Sequence, residues 1–227
     1  MQMKRITTGI NGLDDLLEGG IPERSLILLS GTSGTGKTVF SLQFLYNVAK
    51  YEPGIFVSFE EDISKIKEMA EVFGWDIERY ENENKLRFLR YDPFRIEDIL
   101  EVIENNIREI GAKRVVIDSI SAIGLYMRDP PEIRRMILQI SNVLRKNNCT
   151  AVLTCDILAG KESHSRFGVE EFVVDGLVLL HNFLDKEEYK RSINIWKMPS
   201  TNHSRKIHPY SITKEGFTVH SGEFVRK

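Results

Sequence analysis

The chain has 227 residues, of which 41% are hydrophobic and 28% charged, and its 31 Lys+Arg against 33 Asp+Glu leave a formal charge of −2. At ~100–200 residues per domain this length carries one domain, 1–227, with enough apolar side chains for a core, so a disordered tail is excluded. The charge balance excludes a chain whose main business is coating DNA, no run approaches the ~18 apolar residues of a membrane span, and Met1 to Ile10 lacks an apolar signal core.

In chain order, Leu26–Leu29 reads as a strand, Lys37–Ala49 as a helix, Ile55–Phe59 as a second strand and Ile63–Phe73 as the next helix. Helical period is clearest over Ile96–Ile110. There Ile96, Ile99, Leu100, Ile103 and Ile107 recur at spacings of three and four and leave Glu97, Asp98, Glu101 and Glu104 to water. Val115–Ile117 is a strand. Pro130 and Pro131 are expected to block helix until position 132, which makes Ser121–Pro131 a loop before the helix Glu132–Lys146. Ala151–Thr154 is a strand between Cys149 and Cys155. That extended stretch spans roughly 20 Å against the ~7 Å that a disulfide bridges, and two thiols without a neighbouring His fall short of a zinc site. The expectation is a reduced, cytoplasmic protein. Leu158–Gly168 is polar and without period, and reads as a second, mobile loop. Val173–Leu180 and Ile193–Trp196 are strands, and His208–Thr213 and Phe217–His220 form a terminal β-hairpin across Glu215 and Gly216.

Short apolar runs alternating with helical stretches indicate an α/β fold. The runs are apolar on consecutive positions, as in mostly parallel sheets covered by helices on both faces. In such sheets the loops beyond the carboxyl ends of the strands carry the ligand chemistry.

One of those loops has a specific pattern. Gly31, Thr32, Ser33, Gly34, Thr35, Gly36, Lys37 and Thr38 fit G-x-x-x-x-G-K-[ST] at every position, after a strand and before a helix. The glycines let the backbone curl so that successive N–H groups face phosphate oxygens, and the helix that runs on through Val39 adds free amide donors and its positive dipole end. Lys37 is suited to the β and γ phosphates and the Thr38 hydroxyl to Mg²⁺. A second magnesium anchor is expected at an acid closing a buried strand, and Asp118 ends the apolar run Arg114–Ile117. Glu60 and Glu61 follow the strand Ile55–Phe59, expected to lie next to the phosphate-loop strand. Their mutual repulsion raises at least one pKa and suits a base for water, although acids at the start of a helix are the plainer role.

These residues resemble the RecA-superfamily ATPases, and within them the KaiC-like group. Thr8 to Asp14, then Glu18 to Pro22, look like the family's opening segment. Phe59 to Glu61 with Phe73 to Asp76, Val115 to Ser121, and Arg166 to Asp175 are similar to later family segments, so that the match runs from about Ile6 to Val219. The resemblance implies a RecA-like P-loop NTPase that binds ATP or ADP with Mg²⁺ and hydrolyses ATP, with Glu60 polarising water, Glu61 supporting it and Lys37 on the phosphates. It also implies head-to-tail assembly, often into a hexameric ring, in which Lys197, Thr201 and His203 reach the neighbour's nucleotide. Pro199 stands where the family often has an arginine, which leaves Arg205 and Lys206 as substitutes. The client is an unknown protein. A DNA recombinase or translocase, using Tyr126, Arg128, Lys161, His164, Arg166 and Phe167, is the first rival, and a slow nucleotide-gated signalling protein the second.

Overall fold

The computed structural model describes residues 3–92, 98–127, 129–160 and 163–225. A short antiparallel ribbon, β1 (Arg5–Ile6) with β2 (Ile21–Pro22), precedes the main body. There follow β3 (Leu26–Gly31), α1 (Lys37–Tyr46), β4 (Gly54–Ser58), α2 (Ile63–Val72), α3 (Ile77–Asn82), β5 (Leu86–Arg90), α4 (Ile99–Ile110), β6 (Arg114–Asp118), α5 (Ile120–Tyr126) and α6 (Pro130–Lys146). The chain closes with β7 (Thr150–Asp156), β8 (Gly176–Asp185), β9 (Glu188–Lys197), β10 (His208–Thr213) and β11 (Gly216–Val219).

Nine strands form one sheet in the order β11-β10-β9-β8-β3-β7-β6-β4-β5. The six from β8 to β5 run parallel, and β9, β10 and β11 add antiparallel. Consecutive apolar residues in the central strands feed two cores. Ile27, Leu29, Phe56, Val116 and Val152 face α1, α2, α3 and the hairpin β10–β11. Leu26, Leu28, Ile55, Val57, Val115, Ile117 and Leu153 face α4, α5 and α6. Full burial on both faces is therefore the physical source of the unbroken apolar runs. Both cysteines are free and buried, and burial pushes the Cys149 thiol up to about 11 and that of Cys155 to about 12.

Three expectations need correction. β4 does not adjoin β3; β7 and β6 lie between them. Ser121–Pro131 is not a loop, because residues 121–126 belong to α5, whose start is capped by Ser119 Oγ accepting from Ala122 N at 3.2 Å. Gly124 obscures that helix in the sequence, and it is there for space, since a Cβ would stand 2.2 Å from the Phe167 ring. Helix α6 starts at Pro130 instead of Glu132. Asp129 caps it by accepting from Glu132 N at 2.9 Å, and prolines in a first turn lack only an N–H that has no helical partner. The described residues of Leu158–Gly168 form turns and bends. Arg128, Lys161 and the first residue of the Ile96–Ile110 period lie outside the described residues. The edge strand β5 and helix α3 carry weak periods of their own and are held by tertiary contacts, such as Phe88 stacked on Phe56 with ring centres 5.7 Å apart.

Candidate nucleotide site

β3 delivers the loop at the carboxyl edge of the sheet, and α1 leaves from its far end at Lys37. Gly34 and Gly36 have φ of 81° and 85°, left-handed values that a side chain resists. Gly36 has a second reason to lack one, because a Cβ would lie 2.3 Å from Ile212 Cδ1. The loop and its partners line a cleft of about 270 Å³ that brings together Ser33, Gly34, Gly36, Lys37, Thr38, Val39, Glu60, Glu61, Asp118 and Ser119. Gly31 forms the floor as the end of β3, Thr35 is buried behind the loop, and Thr32 turns its carbonyl toward Lys37.

Lys37 is 9% exposed and folds back on its own loop. Its Nζ donates to Gly31 O at 3.0 Å and Thr32 O at 3.1 Å, and pairs with Asp156 Oδ1 at 2.9 Å. Asp156 is a site residue that the sequence reading missed. The available signal was that it closes the apolar run of β7 as Asp118 closes that of β6.

Asp118 is buried where β6 ends. Burial raises its pKa, while hydrogen bonds from Thr154, at 2.5 Å, and from Thr38 oppose the rise. A carboxylate so placed calls for a cation, and the adjoining Thr38 hydroxyl and Asp118 carboxylate are hard oxygen donors of the kind Mg²⁺ takes alongside phosphate oxygens. Among the described residues no three His, Cys, Asp or Glu side chains cluster in a way that would hold a metal without such help.

Glu60 reaches the cleft although β4 lies two strands from β7 and three from β3. The loop after β4 folds over the end of β6, where Phe59 N donates to Asp118 O at 2.8 Å and Glu60 Oε1 accepts from Ser119 Oγ at 3.0 Å. Burial is the main cause that raises the Glu60 pKa; Asp156 and Asp118 add to it, and the Ser119 bond and Lys37 oppose it. The expected repulsion from Glu61 is not among those causes. Neither acid lies within the first turn of α2, which is preceded by Asp62, so the plainer helix-start role is not theirs. Ser58 Oγ accepts from Glu61 N at 3.0 Å and donates to Glu61 O at 2.7 Å, which fixes the turn carrying both acids.

Lys197, Thr201 and His203 do not enter this cleft. Lys197 pairs with Leu177 and Leu177 with Leu28, so it sits three residues, roughly 10 Å, before Gly31 along the sheet. Its Nζ donates to Val174 O at 2.6 Å, and burial lowers its pKa. Thr201 accepts from Arg5 Nη1 at 2.8 Å, and His203 Nδ1 contacts Ser204 O at 3.0 Å. Arg5 also donates to Ser200 O at 2.9 Å and Glu18 Oε2 at 3.0 Å, tying this arm to the opening segment. Arg205 and Lys206 are exposed. Tyr126 ends α5, while Arg166 and Phe167 are held at a pin around buried Glu170, which accepts from Ser165 Oγ at 2.7 Å and Phe167 N at 3.2 Å. His164 lies beside Trp196, ring centres 4.0 Å apart.

The family profile described as "ATPase: KaiC" matches residues 6–223. The chain belongs to the KaiC family of ATPases. UPF0273 proteins of Pyrococcus furiosus and Methanocaldococcus jannaschii are 38% and 39% identical to it, over 99% of this chain and 97% and 99% of theirs. The circadian clock oscillator protein KaiC of a Nostoc species is 38% identical over 96% of this chain but 44% of its own length. The crystal structure of a KaiC-like protein from Pyrococcus horikoshii superposes with a TM-score of 0.89 at 38% identity, covering 96% of this chain and all of that one. The fold is thus the KaiC type of RecA-like ATP-binding domain, and among the described residues no helix is long and apolar enough to cross a membrane.

Proposed function

We propose that this KaiC-family chain is a Mg²⁺-dependent ATPase whose water-activating residue is Glu60. The observation that carries the reading is one cleft holding the Lys37 ammonium, the Thr38 and Asp118 oxygens and a carboxylate with a raised pKa. The loop amides and Lys37 bind the β and γ phosphates, and Lys37 leaves Asp156 to do so. Thr38 and Asp118 would hold Mg²⁺, which neutralises charge building on the phosphate oxygens during transfer. Glu60, oriented by Ser119, accepts the proton of the attacking water, and Glu61 supports the turn from which it acts. The products are ADP and phosphate.

The proposal extends to assembly. Lys197, Thr201 and His203 stand away from their own chain's cleft, which fits service at a neighbour's nucleotide in a head-to-tail homo-oligomer, on the resemblance a hexameric ring, that acts on an unknown protein client. Phosphate release from ATP, measured with Mg²⁺ and with chelator, tests the activity. Turnover is expected only with Mg²⁺, and Lys37→Ala, folded by circular dichroism, is expected to lose tight ATP binding through loss of a charge-assisted contact worth roughly 1.5–3 kcal/mol. Nucleotide affinity unchanged in that variant would remove the phosphate-loop assignment.

A further inference from the structure

The hairpin β10–β11 passes behind the phosphate loop and touches it at one polar point. Tyr210, 5% exposed, donates its hydroxyl to Thr35 O at 2.6 Å. Burial raises the phenol's pKa, so the group remains a donor. The ring is fixed from its other side by Phe217, stacked at 4.3 Å and 15°. Phe217 is in turn locked to α1, its N–H donating to Gln43 Oε1 at 2.7 Å and its carbonyl accepting from Gln43 Nε2 at 3.0 Å. The Tyr210 hydroxyl is therefore held in place by the same helix that leaves the loop.

In a planar trans peptide the carbonyl and the following N–H point in opposite directions. Drawing the Thr35 carbonyl outward onto Tyr210 turns the Gly36 N–H toward the cleft, where a phosphate oxygen would sit. We infer that Tyr210 is a positioning residue for the phosphate cradle, and that its hydroxyl sets the peptide Thr35–Gly36 before any nucleotide arrives. This rests on the reading of the cleft as a nucleotide site. It assigns to the C-terminal hairpin a part in phosphate binding that its distance along the chain, 175 residues from Thr35, conceals.

Tyr210→Phe keeps the ring and its stack and deletes only the donor, leaving a buried carbonyl unpaired and the peptide free to rotate. The test is calorimetric binding of ADP and of pyrophosphate, both with Mg²⁺, well below the melting temperature of each protein. Ser211→Ala, which removes the His220 contact on the same strand without touching the loop, is the control for a disturbed hairpin. The expected result is a rise in Kd of ~5–20-fold for Tyr210→Phe, by the same factor for both ligands, with Ser211→Ala at the wild-type value. Unchanged Kd in folded Tyr210→Phe overturns the inference, and so does a rise for ADP without one for pyrophosphate, which would move the effect to the nucleoside. Wild-type protein that binds neither ligand overturns the nucleotide reading and this inference with it.

Discussion

The two ends of the central sheet are built on opposite plans. At the carboxyl end, Lys37, Glu60, Asp118 and Asp156 crowd into one cleft with more acids than bases, and two of the acids have raised pKa values. At the other end, the Lys197–His203 arm is spread along the surface and fastened by neutral acceptors and by Arg5. The first end has an excess of negative charge that a metal and a cationic donor would relieve. The second end has a cation with a lowered pKa whose only hydrogen bond among the described residues goes to a backbone carbonyl, so it is free to exchange partners. A cleft that lacks cations and an arm that offers one are complementary, yet the sheet keeps them apart within a chain. A second copy resolves that separation.

The largest effect that would break this comparison is at the carboxyl end. Glu60→Gln keeps shape and removes the base, so binding of ATP is expected to survive while phosphate release falls by ~10² or more. Near-normal turnover would move the role to Glu61. The pH profile sharpens the same point. Glu60 acts when ionised and its pKa is raised by burial, so turnover should climb with pH through a midpoint above the ordinary 4.5. The stability linkage has the opposite sense. A raised acid favours the protonated folded state, so the Glu60 contribution to the nucleotide-free chain is present at low pH and is lost as pH rises through the folded pKa.

The next effect joins the two ends. Glu60→Gln and Lys197→Ala proteins are each expected to be nearly inactive, and random mixing should restore about one quarter of activity, since that share of boundaries combines an intact Glu60 with a neighbour's intact Lys197. Mixing each with Lys37→Ala protein controls for exchange. A dead mixture in which exchange is demonstrated, or full activity of Lys197→Ala alone, breaks the complementarity.

The smallest effect concerns Asp156, which holds Lys37 in the empty cleft and raises the pKa of Glu60. Asp156→Asn frees the ammonium without changing shape, so ADP affinity should increase roughly threefold to tenfold, the worth of a partly exposed ion pair. The acid limb of the turnover profile should move to lower pH in the same variant. Weaker ADP binding would show instead that Asp156 supports the nucleotide-bound arrangement.

Much of this molecule was legible before any fold was known. The phosphate loop is a local device: eight consecutive residues with their flanking strand and helix carry its whole geometry, so spacing alone was enough. Asp118 was legible because a carboxylate closing an apolar run must find a cation or donors. The two-faced burial of the strands was visible in their unbroken apolar runs. Three-dimensional packing decided the rest. Strand order is set by how helices cover the sheet, so only the fold could show that Glu60 arrives by way of β6 and not from a neighbour of β3. Gly124 reads as a helix breaker until Phe167 is seen to need its space. Asp156 and Tyr210 act through partners far away in sequence, Lys37 and Thr35, and no periodicity records a contact of that kind. Residue type and spacing determined what chemistry the chain can hold; packing decided which distant side chains complete it, because contacts between remote segments depend on the path of the backbone and leave no local pattern.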